Sequence, residues 1–159
     1  MSVRIIEATS GWAMGEVKGC LAVVWRAQPT PEAFKTRNEA LKELVKQNAK
    51  HSALIEVVEQ TSKPPDDATR RVAMEVFKEL GSELSAIGFV LEGSQMKSAL
   101  NRAILTTMTF FVKQLQPTKI FKHPADAVRW VQTQLQSPAA GFETELTATL
   151  EQLRAAIQK

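Results

Sequence analysis

The sequence predicts one α/β domain built on a mixed, largely parallel β-sheet, and three observations carry that reading. Short runs rich in Val, Ile, Leu and Ala alternate with longer stretches whose apolar residues recur at helical spacing. Strands that alternate with helices imply parallel pairing through right-handed crossovers, while a tight turn near the amino end makes the sheet mixed. At 159 residues, with 44% apolar and 23% charged residues, the chain is long enough to bury one core without metal or disulfide support.

The elements follow in order. Val3 to Ala8 reads as a short strand ending at Thr9-Ser10-Gly11, and Trp12 to Val17 as another. Lys18-Gly19 suits a two-residue turn, after which Cys20 to Arg26 is apolar on both phases, the pattern of a strand covered on both faces. Thr30-Pro31-Glu32 is a helix start, with a hydroxyl cap, a proline in the first turn and an acid at the positive dipole end. Phe34, Leu41, Leu44 and Val45 carry that helix's stripe to about Ala49. Ala53 to Val58 returns to strand. Lys63-Pro64-Pro65-Asp66-Asp67 breaks it and caps a helix with Val72, Ala73, Val76, Phe77 and Leu80 inward, stopped by Gly81. Leu84 to Leu91 is the clearest buried strand, followed by a long helix over about 95–115 that Pro117 ends. Lys119-Ile120-Phe121 is a short strand, and His123-Pro124 starts a helix with Ala127, Val128, Val131 and Leu135 inward. A linker at 137–141 leads to an amphipathic helix carrying Phe142, Leu146, Leu150, Leu153 and Ile157. The expected division is therefore residues 1–136 as the α/β domain and 137–159 as linker and C-terminal helix packed on it. There is no internal repeat and no low-complexity tract.

Basic residues number 20 against 17 acidic, a net charge of +3, and they are dispersed rather than gathered on one segment. That weak field argues against a nucleic-acid-binding surface. Only Lys63 with Arg70-Arg71, and Lys113 with Lys119 and Lys122, form small clusters. One cysteine, Cys20, allows no internal disulfide and suits a reducing cytoplasm. The first residues lack the apolar stretch of a signal peptide, and the longest uncharged apolar run, between Arg102 and Lys113, is too short to span a bilayer. A cytoplasmic location without membrane insertion is expected.

Three blocks carry a resemblance. They are Ala22-Val23-Val24-Trp25 leading to Pro31-Glu32-Ala33-Phe34, then Ile87-Gly88-Phe89-Val90-Leu91, and the stretch from Ile120 through His123-Pro124 to Trp130. From about Gly11 to Leu135 the element order resembles the STAS domain, the fold of the bacterial SpoIIAA-like anti-sigma-factor antagonists. The resemblance implies a STAS-like mixed β-sheet packed with helices, here with an extra C-terminal helix, in a bacterial regulatory protein that works by binding other proteins. Antagonists of that family are switched by phosphorylation of a hydroxyl in the loop after the central strand. The corresponding segment here, Gln60 to Asp66, holds Thr61 and Ser62 but lacks the family's Asp-Ser core and carries two prolines.

Signatures of chemistry are sparse. Gly93-Ser94 is not a nucleophile elbow, and no glycine-rich phosphate loop follows a strand. His51 and His123 have no metal-ligand spacing, so no metal or cofactor is expected. Cys20 reads as a small core residue. Glu56 stands out as a carboxylate inside an apolar strand, costing several kcal/mol (roughly) unless it is paired or at the sheet's end. An ion pair or a place at the strand's end is the expectation; an enzyme would need Glu56, His51 or His123 to converge in a cleft.

The helix over 95–115 is apolar beyond one face, through Ile104, Leu105, Met108, Phe111 and Val112, interrupted only by threonines. Cover by the C-terminal helix, a protein interface or homodimer contact, and an apolar ligand pocket each account for it. The expected function is a non-catalytic protein-interaction module, with those five residues as candidate partner interface and Thr61 and Ser62 as candidate regulatory loop. The partner is a protein or a second copy of the chain. The alternative is a binding protein for a small apolar or lipid-like ligand.

Overall fold

The computed structural model describes residues 4–94, 102–103, 106, 110, 112–113, 115–135 and 138–157. Six strands form one sheet in chain order: β1 (Arg4–Ala8), β2 (Trp12–Val17), β3 (Cys20–Trp25), β4 (Ala53–Val58), β5 (Ala86–Leu91) and β6 (Thr118–Phe121). The first three are antiparallel neighbours, and β3 to β6 run parallel. Lys18 and Gly19, at φ 46° and 80°, make the two-residue β2–β3 turn, and a side chain at Gly19 would meet the His51 carbonyl at 2.8 Å.

Helices α1 (Pro31–Gln47) and α2 (Asp67–Leu80) form as their caps predict. Thr30 Oγ1 accepts from Ala33 N at 3.1 Å, and Asp66 Oδ1 accepts from Thr69 N at 2.8 Å. A 3₁₀ turn, Gly81–Glu83, follows α2. The last helices are α3 (Pro124–Gln134) and α4 (Phe142–Ala156).

Strand order explains the layers. When each parallel strand is added beside the last in the same direction, right-handed crossovers set every crossover segment on the same face. On that face α1 and α2 pack with Leu21, Val23, Trp25, Leu54, Ile87 and Phe89, and Val112, helical within the β5–β6 crossover, joins the same cluster. The opposite face (Ala13, Cys20, Ala22, Val24, Ala53, Ile55, Val57, Ala86 and Val90) is covered by α3 and α4. Its residues are small, so the helices sit close. A Cβ at Gly15 would lie 3.3 Å from Leu153 of α4, and one at Gly88 would lie 3.4 Å from Val131 of α3.

This placement bears on one of the alternatives left open for the 95–115 segment. The stripe of the C-terminal helix does not cover Val112, the residue of that segment found in the core. Phe142, Leu146, Leu150, Leu153 and Ile157 pack on the other side of the sheet from Val112. The physical reason is that β1 to β3 have no crossover helix on that face, and α4 is the segment left to shield them.

A chain cut after residue 136 would therefore expose the apolar face of β1 to β3. It is expected to precipitate or to lose its cooperative thermal transition. A soluble truncated chain with an unchanged Tm would mean that α4 is dispensable.

Candidate functional site

In α/β sheets, binding sites gather at the carboxyl ends of the parallel strands. Here a charged residue stands directly after each of three apolar strands, Arg26 after β3, Glu59 after β4 and Glu92 after β5. Arg26 grips Glu59 through Nε to Oε1 at 2.6 Å and Nη2 to Oε2 at 3.2 Å. Arg154, from the last turn of α4, reaches the same rim. Its Nη1 donates to Glu59 Oε2 at 2.8 Å and to Glu92 Oε1 at 2.7 Å, and its Nη2 donates to Glu92 Oε2 at 2.8 Å. Two arginines and two glutamates thus alternate, tying β3, β4, β5 and α4 together with no net charge.

The loop after β4 is stitched to the neighbouring β3–α1 connection. Thr61 Oγ1 donates to the Arg26 carbonyl at 2.8 Å, Ser62 Oγ to the Ala27 carbonyl at 2.9 Å, and Gln28 Nε2 to the Pro64 carbonyl at 2.8 Å. The two candidate regulatory hydroxyls part company: Ser62 is 4% exposed, while Thr61 is exposed at the surface. Of the nearby basic pair, Arg70 is engaged with Asp67 and the Pro65 carbonyl, and Arg71 is exposed.

Burial works to raise the Glu59 carboxyl, but hydrogen bonds from Arg26 and Arg154 hold it below its ordinary value of 4.5. Hydrogen bonding to Glu92 and Glu59 in turn raises Arg154.

Glu56 is paired, as a mid-strand carboxylate requires. It is 2% exposed and forms an ion pair with Arg37 of α1, itself 1% exposed, while Trp25 Nε1 donates to Glu56 Oε2 at 2.5 Å. Arg37 also donates through Nη2 to the Ala73 carbonyl at 2.6 Å and to Asn38 Oδ1 at 2.8 Å, and its guanidinium lies 4.6 Å from the Phe34 ring centroid and 5.2 Å from that of Phe77. Asn38 Nδ2 completes the set on the Val72 carbonyl at 2.8 Å.

The other chemical candidates stay apart. His51 lies before the amino end of β4 and His123 after the carboxyl end of the parallel strand β6, so they occupy opposite ends of the sheet. Cys20 is fully buried, and burial pushes its thiol far above the ordinary range. Of the five residues expected to form a partner interface, Ile104, Leu105, Met108 and Phe111 lie outside the described residues. Val112 is 1% exposed and belongs to the core, not to an open surface. Sequence reasoning picked out neither Arg37 nor the rim network. The visible signals were a charge in the inward phase of α1's stripe and charges at strand ends.

A search of solved structures finds the same architecture in an uncharacterized protein of the DUF3478 family with a SpoIIAA-like fold from Shewanella loihica PV-4. The TM-score is 0.57 at 15% sequence identity, over 76% of this chain and 94% of that one. No family model matches the chain, and no curated protein matches it. The protein therefore has a SpoIIAA-like, STAS-type α/β fold, as its sequence pattern implied, with α4 added across β1 to β3. Among the described residues no helix is long and apolar enough to cross a membrane.

The depressed Glu59 carboxyl makes the rim network pH-sensitive. A carboxyl held below its unfolded value stabilises the folded state above about 4.5 and loses that contribution as pH falls through the folded value. Glu59→Gln is therefore expected to lower Tm at neutral pH, with the gap from wild type closing as the pH drops well below 4.5. Thermal melts across that range check this, and a gap independent of pH would contradict it.

Proposed function

We propose that the protein is a non-catalytic, regulatory protein-interaction module of the bacterial cytoplasm. The observation that carries this reading is the rim: in a SpoIIAA-like fold, the loop after β4 is held in one shape by paired charges and backbone-directed hydroxyls. A loop fixed before contact loses little freedom on docking, which favours recognition of another macromolecule. Lys63, Asp66 and Arg71 point this preformed surface toward solvent. The charges on the rim itself are satisfied by one another, an arrangement that shapes a surface better than it activates a nucleophile.

Thr61 is the hydroxyl of this loop that a modifying enzyme can reach. Of the two arginines that follow the loop in sequence, Arg70 is already engaged with Asp67, and Arg71 is exposed.

The test is affinity capture from bacterial lysate, read by mass spectrometry, with the surface variant Lys63→Glu/Arg71→Glu as control. A protein retained by wild type and lost by the variant, with matching circular dichroism, is the expected outcome. A small apolar molecule in the native mass spectrum, with no protein retained, would favour the ligand-binding reading instead.

A further inference from the structure

The sheet ends at β6, with the β5–β6 crossover on one of its faces and α3 on the other. Between them runs a groove of about 680 Å³, a volume in the range of small-molecule sites. Phe110 and Lys113 line it from the crossover, Trp130 and Gln134 from α3, and Pro117 and Lys119 from the edge between. The strand beneath is closed. Thr118 is 2% exposed, so recognition in this groove falls to side chains and not to main-chain pairing.

The walls are aromatic and the charges have one sign. Phe110 is 64% exposed, the most exposed large apolar side chain among the described residues. Trp130 is half-buried and packs on Phe121 with ring centroids 5.7 Å apart. Lys119 Nζ lies 5.5 Å from the same Phe121 ring, which brings an ammonium group to the aromatic wall. Lys113 and Lys119 are exposed and make no ion pair among the described residues, and no carboxylate lines the groove. Uncompensated positive charge beside ring-bearing walls is the complement of an anion carried on an aromatic body.

We infer that this groove binds a small aromatic carboxylate. The ring takes the space between Phe110 and Trp130, where ring contacts add to the gain from apolar burial. The carboxylate accepts charge-assisted hydrogen bonds from Lys113 and Lys119. The two ammonium groups also set the selectivity: a neutral analogue of the same shape forfeits these bonds, and a cationic one is repelled. The groove shares no residue with the rim, so the inference does not rest on the protein-interaction reading and each can fail alone.

The probe is cinnamate, titrated into the ¹⁵N-labelled full chain and followed on the indole N–H signals of its three tryptophans. Trp12 and Trp25 are core residues, 9% and 2% exposed, so only the Trp130 signal, assigned by its loss in Trp130→Phe, is expected to move. Cinnamamide, of the same shape without the charge, is expected to bind about tenfold more weakly, the loss that two exposed ammonium–carboxylate contacts would give. Lys113→Gln/Lys119→Gln should abolish that preference and leave cinnamamide binding unchanged. Lys63→Gln/Arg71→Gln, which changes the net charge equally, should preserve it, and Phe110→Ala should weaken both ligands alike. Circular dichroism shows that the variants are folded. A Trp130 signal that does not move, movement of all three signals, equal affinity for the two ligands, or the same effect from both charge pairs would overturn the inference. So would a Trp130 signal that answers phosphatidylglycerol vesicles but not cinnamate.

Discussion

The structure turns on a charge pair in its core. Glu56, in the middle of β4, and Arg37, in the middle of α1, are both almost fully buried. Either alone would make a buried, unpaired ion, which a small domain tolerates poorly. Their contacts do more than neutralise each other. Arg37 and Asn38 extend to the Ala73 and Val72 carbonyls of α2, and Trp25 of β3 donates to the second oxygen of Glu56. One polar cluster therefore fixes α1 and α2 on β3 and β4 with defined spacing. Apolar contacts alone would permit sliding, because many packings of Leu and Val are close in energy. Burial pulls the Arg37 guanidinium below its ordinary value, and Glu56 opposes that pull.

Around that cluster, chain order determines the remainder. Successive right-handed crossovers leave α1, α2 and Val112 on one face and expose the other, which the chain covers after β6 with α3 and α4. Because α4 must run back over β1 to β3, its last turn arrives beside the carboxyl ends of β3, β4 and β5. Arg154 is thereby placed to close the rim between Glu59 and Glu92. The rim proposed for partner recognition thus depends on the helix that completes the core.

Most of the fold was legible in the sequence. The strand runs Cys20 to Trp25, Ala53 to Val58 and Ala86 to Leu91 stand between cap and turn residues whose chemistry is local: Thr30-Pro31, Asp66, Lys18-Gly19. The place of α4 was not legible. An amphipathic stripe specifies that a face is buried, not which face of the sheet receives it. For the same reason, Val112 looked like part of an apolar surface and proved to be core. Glu56 announced itself as a charge in a strand, whereas Arg37 was hidden within a helix whose other charges are solvated. It could have been found by phase, since position 37 lies one turn from Phe34 and from Leu41 on the inward side. The rim network spans residues 26 to 154, and no local pattern joins positions that far apart.

The most direct test of the central claim is a double-mutant cycle at the core pair, by chemical denaturation of Arg37→Met, Glu56→Leu and the double variant. Each single change strands a buried charge and is expected to cost about 3–5 kcal/mol. The double variant removes both charges and should lose much less than the sum of the two. Strictly additive losses, or single variants as stable as wild type, would show that the pair does not organise the domain.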